Sequence, residues 1–324
     1  MTSILVPLDG SACAERVVPY VRMLAPLLGA HVTLLQALDT DTPEALTAMV
    51  DQAAGYADGQ MAAERPLPAT HAAQPYLPDE TRDRARSYLA SQAAQLRTAG
   101  IQVTTRTAIG PAPDAILAVA EELQSSMIAL STHGRSGVRR WAVGSVTDRL
   151  VQATTRPVLV VRGGAHPTGS ACVPRRILVP LDGSARSRQA VPFALQLAET
   201  TGAELVLLTA VVPLFAEYAM LPAIPVEIQT GLSAAIEQEL NEFAADLRRQ
   251  YARVTAVVLD GFAAETILDE AAHRDVDMIV MATHGRGGLR RWALGSVADR
   301  VLHAAAVPLV MVRVVTNGQH APQH

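Results

Sequence analysis

Two groups of residues in this chain have the types and spacing to handle a phosphorylated ligand. His133, Gly134 and Arg135 precede Gly144, Ser145 and Val146, with nine residues between the two glycines. His284, Gly285, Arg286, Gly295, Ser296 and Val297 repeat the arrangement. Small residues at a strand-to-helix turn let backbone amides approach phosphate oxygens, and a helix amino terminus adds partial positive charge. A serine there can donate its hydroxyl to phosphate or cap the helix. The histidines either face phosphate or shape the loop; the arginines either neutralise phosphate or stay solvated. Asp9 and Asp182 form the second group, each near the end of a VPLDGS segment. A carboxylate at the carboxyl end of a strand can meet a ribose hydroxyl or a metal. It can equally hold an Asx turn with Gly10 or Gly183.

Composition removes several chemistries. All 27 basic residues are arginine. A Walker-type phosphate lysine, a Schiff-base lysine and a lysine general base are therefore excluded. Net charge is −4, so no global basic field argues for nucleic acid. The Arg139-Arg140-Trp141 run and its repeat Arg290-Arg291-Trp292 read as helix packing and a solvated face. Cys13 and Cys172 form neither a metal nor a redox motif. No charged leader precedes Ile4–Val6, and no apolar run approaches the ~20 residues of a membrane span. A soluble cytoplasmic protein without a membrane partner is the expectation.

The elements that must position these residues occur twice. Residues 131–162 and 282–313 agree at 18 of 32 positions without a gap. SILVPLDGSA near the start returns as RILVPLDGSA at Arg176, so Asp9 and Asp182 are 173 residues apart. Gly134 and Gly285 are 151 apart, which leaves 22 extra residues in the first copy, within roughly 38–95. Each copy alternates strand and helix: ILVPLD, a helix with Ser11 or Ser184 near its start, and a buried strand (Val32–Ala37; Leu205–Ala210). A variable loop and a helix follow (about Arg82–Ala99; about Ser233–Tyr251). Then come a strand ending at Gly110 or Gly261, a helix (Pro113–Gln124; Ala263–His273), and the strand, loop, helix and last strand of the long repeat. Such alternation predicts an α/β fold with a parallel sheet in each half. The expected division is a first domain over 1–162 with a long variable loop at 38–80, a turn-rich linker at 163–174, a second domain over 175–315 and a tail at 316–324.

On these residues the chain resembles the universal stress protein family, as a tandem of two domains. Nucleotide-binding members carry glycine, two residues, glycine, nine residues, then glycine with serine or threonine. Here the later portion is complete in both copies, while Ser131 and Ala282 replace the first glycine. The resemblance implies two Rossmann-like domains, each a doubly wound five-stranded parallel sheet flanked by helices. It also implies ATP, with Mg2+ or Mn2+ on the triphosphate, over the carboxyl ends of the first and fourth strands. Pro7, Leu8, Asp9 and Ala37 would border adenosine, as would Pro180, Leu181, Asp182 and Ala210. Gly134, Gly144, Ser145 and Val146 would hold phosphate, with Gly285, Gly295, Ser296 and Val297 in the second half. The family's last strands commonly pair, so Val158–Val161 would meet Leu309–Val312. A homodimer of the whole chain stays open, as does the identity of a protein partner.

The function this favours is a nucleotide-dependent stress-response regulator, with loop 38–80 as the element that moves when populations shift. No catalytic residue and no protein-borne metal site is assigned, since neither a Walker pattern nor a histidine–serine–carboxylate order repeats. Slow ATP hydrolysis or adenylation is the alternative in the enzyme class. DGSA stands where an adenylating enzyme of related fold would carry a serine–glycine–glycine loop. A nucleotide-free scaffold is the third reading, favoured by Ser131 and Ala282.

Overall fold

The computed structural model of the chain describes residues 2–39, 77–132, 144–162, 173–212, 226–283 and 294–314. The first half runs β1 (Ser3–Pro7), a 3-10 turn (Ala14–Val17) continuing into α1 (Val18–Leu27), and β2 (His31–Leu38). It goes on through α2 (Asp79–Arg97), β3 (Val103–Ile109), α3 (Ala112–Glu122), β4 (Met127–Thr132), α4 (Ser145–Ala153) and β5 (Val158–Arg162). The second half repeats this as β6 (Arg176–Pro180), a 3-10 turn (Ser187–Ala190), α5 (Val191–Thr201) and β7 (Glu204–Val211). Then follow α6 (Val226–Arg248), β8 (Val254–Asp260), α7 (Ala263–His273), β9 (Met278–Thr283), α8 (Ser296–Ala304) and β10 (Leu309–Arg313).

All ten strands form one sheet, in the order β3-β2-β1-β4-β5-β10-β9-β6-β7-β8. Within each half every pairing is parallel. The inner strands are apolar on both faces, as parallel strands covered by helices must be. Ile4, Val6, Val32 and Leu34 pack with Val21, Leu24, Leu89 and Leu96 of α1 and α2. Leu5, Leu35 and Ile128 point the other way, against Ile116, Val119, Leu150 and Val151 of α3 and α4. This is the doubly wound arrangement, and the strand order reverses direction beside β1 and beside β6.

The halves join where β5 and β10 pair antiparallel, with Leu309 opposite Val160 and Met311 opposite Val158. Val158, Leu159, Val160, Leu309, Val310 and Met311 are each no more than 2% exposed. Burying side chains of this size stabilises by roughly 1.5–3 kcal/mol each. The strand-end arginines cross the seam. Arg162 donates to the Leu302 carbonyl at 3.4 Å, and Arg313 donates to the carbonyls of Gln152 and Thr154. Each half thus satisfies carbonyls at the last turn of the other half's α4 or α8, where a cation is favoured.

Some boundaries differ from the sequence expectation. Leu38 ends β2 instead of opening a loop, and Asp79 and Glu80 already belong to α2. Leu38, Leu77 and Ala85 are buried together, so an apolar contact closes both ends of this connection. Residues 40–76 of the expected loop lie outside the described residues, as do 163–172 of the expected linker and the expected tail. In the second half, α6 starts at Val226, seven residues ahead of Ser233. Among the described residues no helix is long and apolar enough to cross a membrane.

Candidate functional site

In the second half, β6 delivers Pro180, Leu181 and Asp182 to the edge where the strand order reverses. Asp182 Oδ1 accepts the Ser184 N–H at 3.0 Å, forming the Asx turn, and Gly183 takes φ +78, which a side chain disfavours. Ser184 Oγ then accepts the Ser187 N–H at 3.1 Å. Ser187 Oγ donates to the Ser184 carbonyl at 2.9 Å and accepts the Asp182 N–H at 3.3 Å. The turn is therefore held by side chains on both sides of the glycine. Ala210 stands near the end of β7, and Ala282 near the end of β9, two residues ahead of the segment 284–293.

These residues meet the amino terminus of α8 around one cavity of about 290 Å3. Gly295, Ser296 and Val297 form its lip, while Pro180, Leu181, Asp182, Ala210 and Ala282 form its floor. The wall was not anticipated: Ala263 and Ile267 of α7, with Leu208 and Met281 from the sheet. The signal for α7 was the four-residue spacing of Ala263 and Ile267, which sets both on one helix face. The volume lies near the lower end of small-molecule sites, roughly 300–1,000 Å3.

The serine does not cap the helix. Gly295 is the N-cap residue of α8 and Gly144 that of α4, both extended and without a side-chain cap bond. Ser145 and Ser296 occupy the first helical position, exposed, leaving the amino-terminal N–H groups without a side-chain acceptor from the cap residue. α4 and α8 are tied outward by Arg149–Asp114 at 2.6 Å and Arg300–Glu265 at 2.5 Å. Both pairs are more than half exposed, so each contributes at most about 1 kcal/mol.

The first half builds the same turn. Asp9 Oδ1 accepts the Ser11 N–H at 2.8 Å, Gly10 has φ +84, and Ser11 Oγ accepts the Ala14 N–H at 3.1 Å. Pro7 ends β1 and Leu8 follows it into the turn, Ala37 sits near the end of β2, and Ser131 near the end of β4. Gly144, Ser145 and Val146 stand where Gly295, Ser296 and Val297 stand in the second half. The polar detail differs. Gln36 Oε1, Ser131 Oγ and Thr132 Oγ1 are buried without a hydrogen-bond partner among the described residues. Glu15 accepts from Tyr88 Oη at 3.0 Å and from Gln92 Nε2 at 2.9 Å.

The corresponding second-half group is charged differently. Arg188 pairs with Glu239 at 2.5 Å, and its guanidinium carbon lies 4.7 Å from the Phe243 ring centre. These three side chains line a further cavity of about 220 Å3 that also touches Leu181, Asp182 and Ala210. Burial, helped by the Glu15 bond and charge, holds the Tyr88 phenol well above the usual tyrosine range. Burial likewise raises Asp148 in the first turn of α4, with His303 opposing.

His133, Gly134, Arg135, His284, Gly285 and Arg286 lie outside the described residues, as do both Arg-Arg-Trp runs. Among the described residues no three His, Cys, Asp or Glu side chains gather as a metal site.

Residues 1–162 and again 174–313 match the profile of the universal stress protein family. One universal stress protein of Mycobacterium tuberculosis is 25% identical over 316 residues, covering 96% of this chain and 95% of its own. Another from the same organism is 31% identical over 200 residues, 59% of this chain; the match spans 62% of that relative's length. Among solved structures, a universal stress protein from Archaeoglobus fulgidus superposes over 96% of this chain and 98% of its own. Its TM-score is 0.71 at 18% sequence identity.

Proposed function

Because the chain belongs to the universal stress protein family, we propose that it binds adenine nucleotide, ATP first, and acts as a nucleotide-dependent regulator of stress responses. The observation that carries this reading is the 290 Å3 cavity, where four separate segments bring Pro180–Asp182, Ala210, Ala282 and Gly295–Val297 together. Its small floor residues leave room for a flat base against the apolar wall of Ile267 and Met281. Asp182 stands where it can receive a ribose hydroxyl. The open N–H groups of α8 and the Ser296 hydroxyl are donors aimed at the side where phosphate would lie. Asp9, Ala37, Ser131 and Gly144–Val146 are the first-half counterparts, and the sequence pattern assigns His133, Gly134, Arg135, His284, Gly285 and Arg286 to the phosphate. A bound triphosphate supplies concentrated negative charge rather than a reaction. Whichever conformation receives that charge best is the one populated.

Fast turnover is not part of this reading, since Asp9 and Asp182 each commit Oδ1 to a turn and no lysine is available. The test is Gly144→Asp combined with Gly295→Asp. Among the described residues a Cβ at either position meets nothing within 4 Å, and aspartate is itself a good N-cap, so the fold should hold. The added carboxylates occupy the phosphate side and repel it. Calorimetry should register ATP binding to the parent chain and none to the double variant, with thermal unfolding unchanged. Retained affinity in the variant would remove the cleft assignment.

A further inference from the structure

We propose that the two clefts differ in the phosphate charge they accept, the second preferring ATP and the first AMP or adenosine, with Glu15 and Arg188 setting the difference. This rests on the nucleotide reading above and assigns each half its own ligand. The phosphate loops cannot make the distinction, because THGRSGVRRWAVGS and THGRGGLRRWALGS carry the same charges in the same order. The difference lies on the opposite side of the aspartate turn. Among the described residues the side-chain partners of Glu15, Tyr88 and Gln92, are neutral, so its charge adds to that of Asp9. At the matching position Arg188 pairs with Glu239, and both line a cavity with Asp182, which also lines the larger one. With Arg16 opposite Gln189 and Arg186 opposite Cys13 also counted, Asp9, Glu15 and Arg16 leave the first turn at −1, whereas Asp182, Arg186, Arg188 and Glu239 balance, so the first side is one negative charge richer. Burial and the Glu15 bond and charge raise the Tyr88 phenol, with Asp9 adding in the same direction.

The strand ends beside the turn differ in the same sense. Gln36 Oε1 and Ser131 Oγ, buried and without partners among the described residues, belong to β2 and β4, the strands on either side of β1. The second half has Thr209 and Ala282 there. Leaving buried polar atoms unpaired is costly, so the first cleft gains from a ligand that offers hydroxyl or amine donors. A nucleoside has these; additional phosphate contributes only acceptors and charge. One extra charge roughly 8 Å from two further phosphate charges changes the ATP-to-AMP preference by about fivefold at low salt.

The experiment isolates each half. Gly144→Asp leaves the second cleft intact, and Gly295→Asp leaves the first. Calorimetric titrations of both full-length variants with ATP, AMP and adenosine at low ionic strength give an ATP-to-AMP affinity ratio for each cleft. The expected ratio is about fivefold or more higher for the second cleft, narrowing as salt screens the charges. Glu15→Gln, which keeps the size of the side chain, should raise the ratio of the first cleft, and Arg188→Gln should lower that of the second. Equal ratios in the two clefts, or ratios unmoved by these substitutions, overturn the proposal while leaving nucleotide binding in place. If the parent chain binds no adenine nucleotide, the functional reading fails and this one falls with it.

Discussion

Asp9 and Asp182 each bind their own turn through one carboxylate oxygen, which gives both a structural duty before any ligand arrives. The VPLDGS repeat made these residues and their Asx-turn geometry legible, because aspartate, glycine and serine in that order dictate the hydrogen bonds later seen. The charge pattern beside them was not legible. Glu15 meets Gln92, and Arg188 meets Glu239, only because separate helices fold over the same sheet edge; no local spacing encodes such pairs. Ser145 and Ser296 were ambiguous in sequence between capping and donating, and their position one residue inside the helix settles the first alternative against them. Glu204 offers a test at this scale. It accepts from Thr255 at 2.7 Å and from Arg176 at 3.1 Å, and those bonds hold its carboxyl below the ordinary value of 4.5. A lowered folded-state value means stability present above that pH and lost as pH falls through the folded value. Glu204→Gln should cost about 1 kcal/mol at neutral pH by urea denaturation, with the gap closing as pH falls below the ordinary glutamate value and through the lowered folded one.

At the level of elements, duplication made the alternation of strand and helix plain, and the helix over Ala263–His273 was placed to the residue. The early start of α6 was missed for a local reason. Val226, Ile228, Thr230 and Gly231 are poor helix formers, while the start signals, Pro225 and Glu227, are weak alone. The apolar closure by Leu38, Leu77 and Ala85 was also hidden, because Leu38 lies 39 or more positions from the other two, across the segment after β2. α4 and α8 have an unusual division of duties. Their amino termini front the clefts, whereas their last carbonyls are held by Arg313 and Arg162 of the opposite half. Arg313→Ala should therefore lower stability by about 1–2 kcal/mol in denaturant titration, through the loss of charged hydrogen bonds to the end of α4. An unchanged midpoint would mean that water satisfies those carbonyls equally well.

For the whole molecule, the seam between β5 and β10 turns two five-stranded units into one sheet whose outer edges are β3 and β8. Both edge strands are largely exposed or half-buried, in contrast to the fully covered centre. Val160 is 1% exposed at the seam. Val160→Lys would bury an unpaired charge there, costing several kcal/mol. Calorimetry should then show the single unfolding transition of the parent chain split in two or shifted to much lower temperature. The seam is antiparallel, and every strand on either side runs parallel to its own half. The carboxyl ends of β1 and β4 therefore face one way, and those of β6 and β9 face the opposite way. A flat partner resting on one rim of the sheet touches the contents of a single cleft and is blind to the other. To respond to both at once, a partner has to reach around the sheet or arrive as two copies, one at each rim.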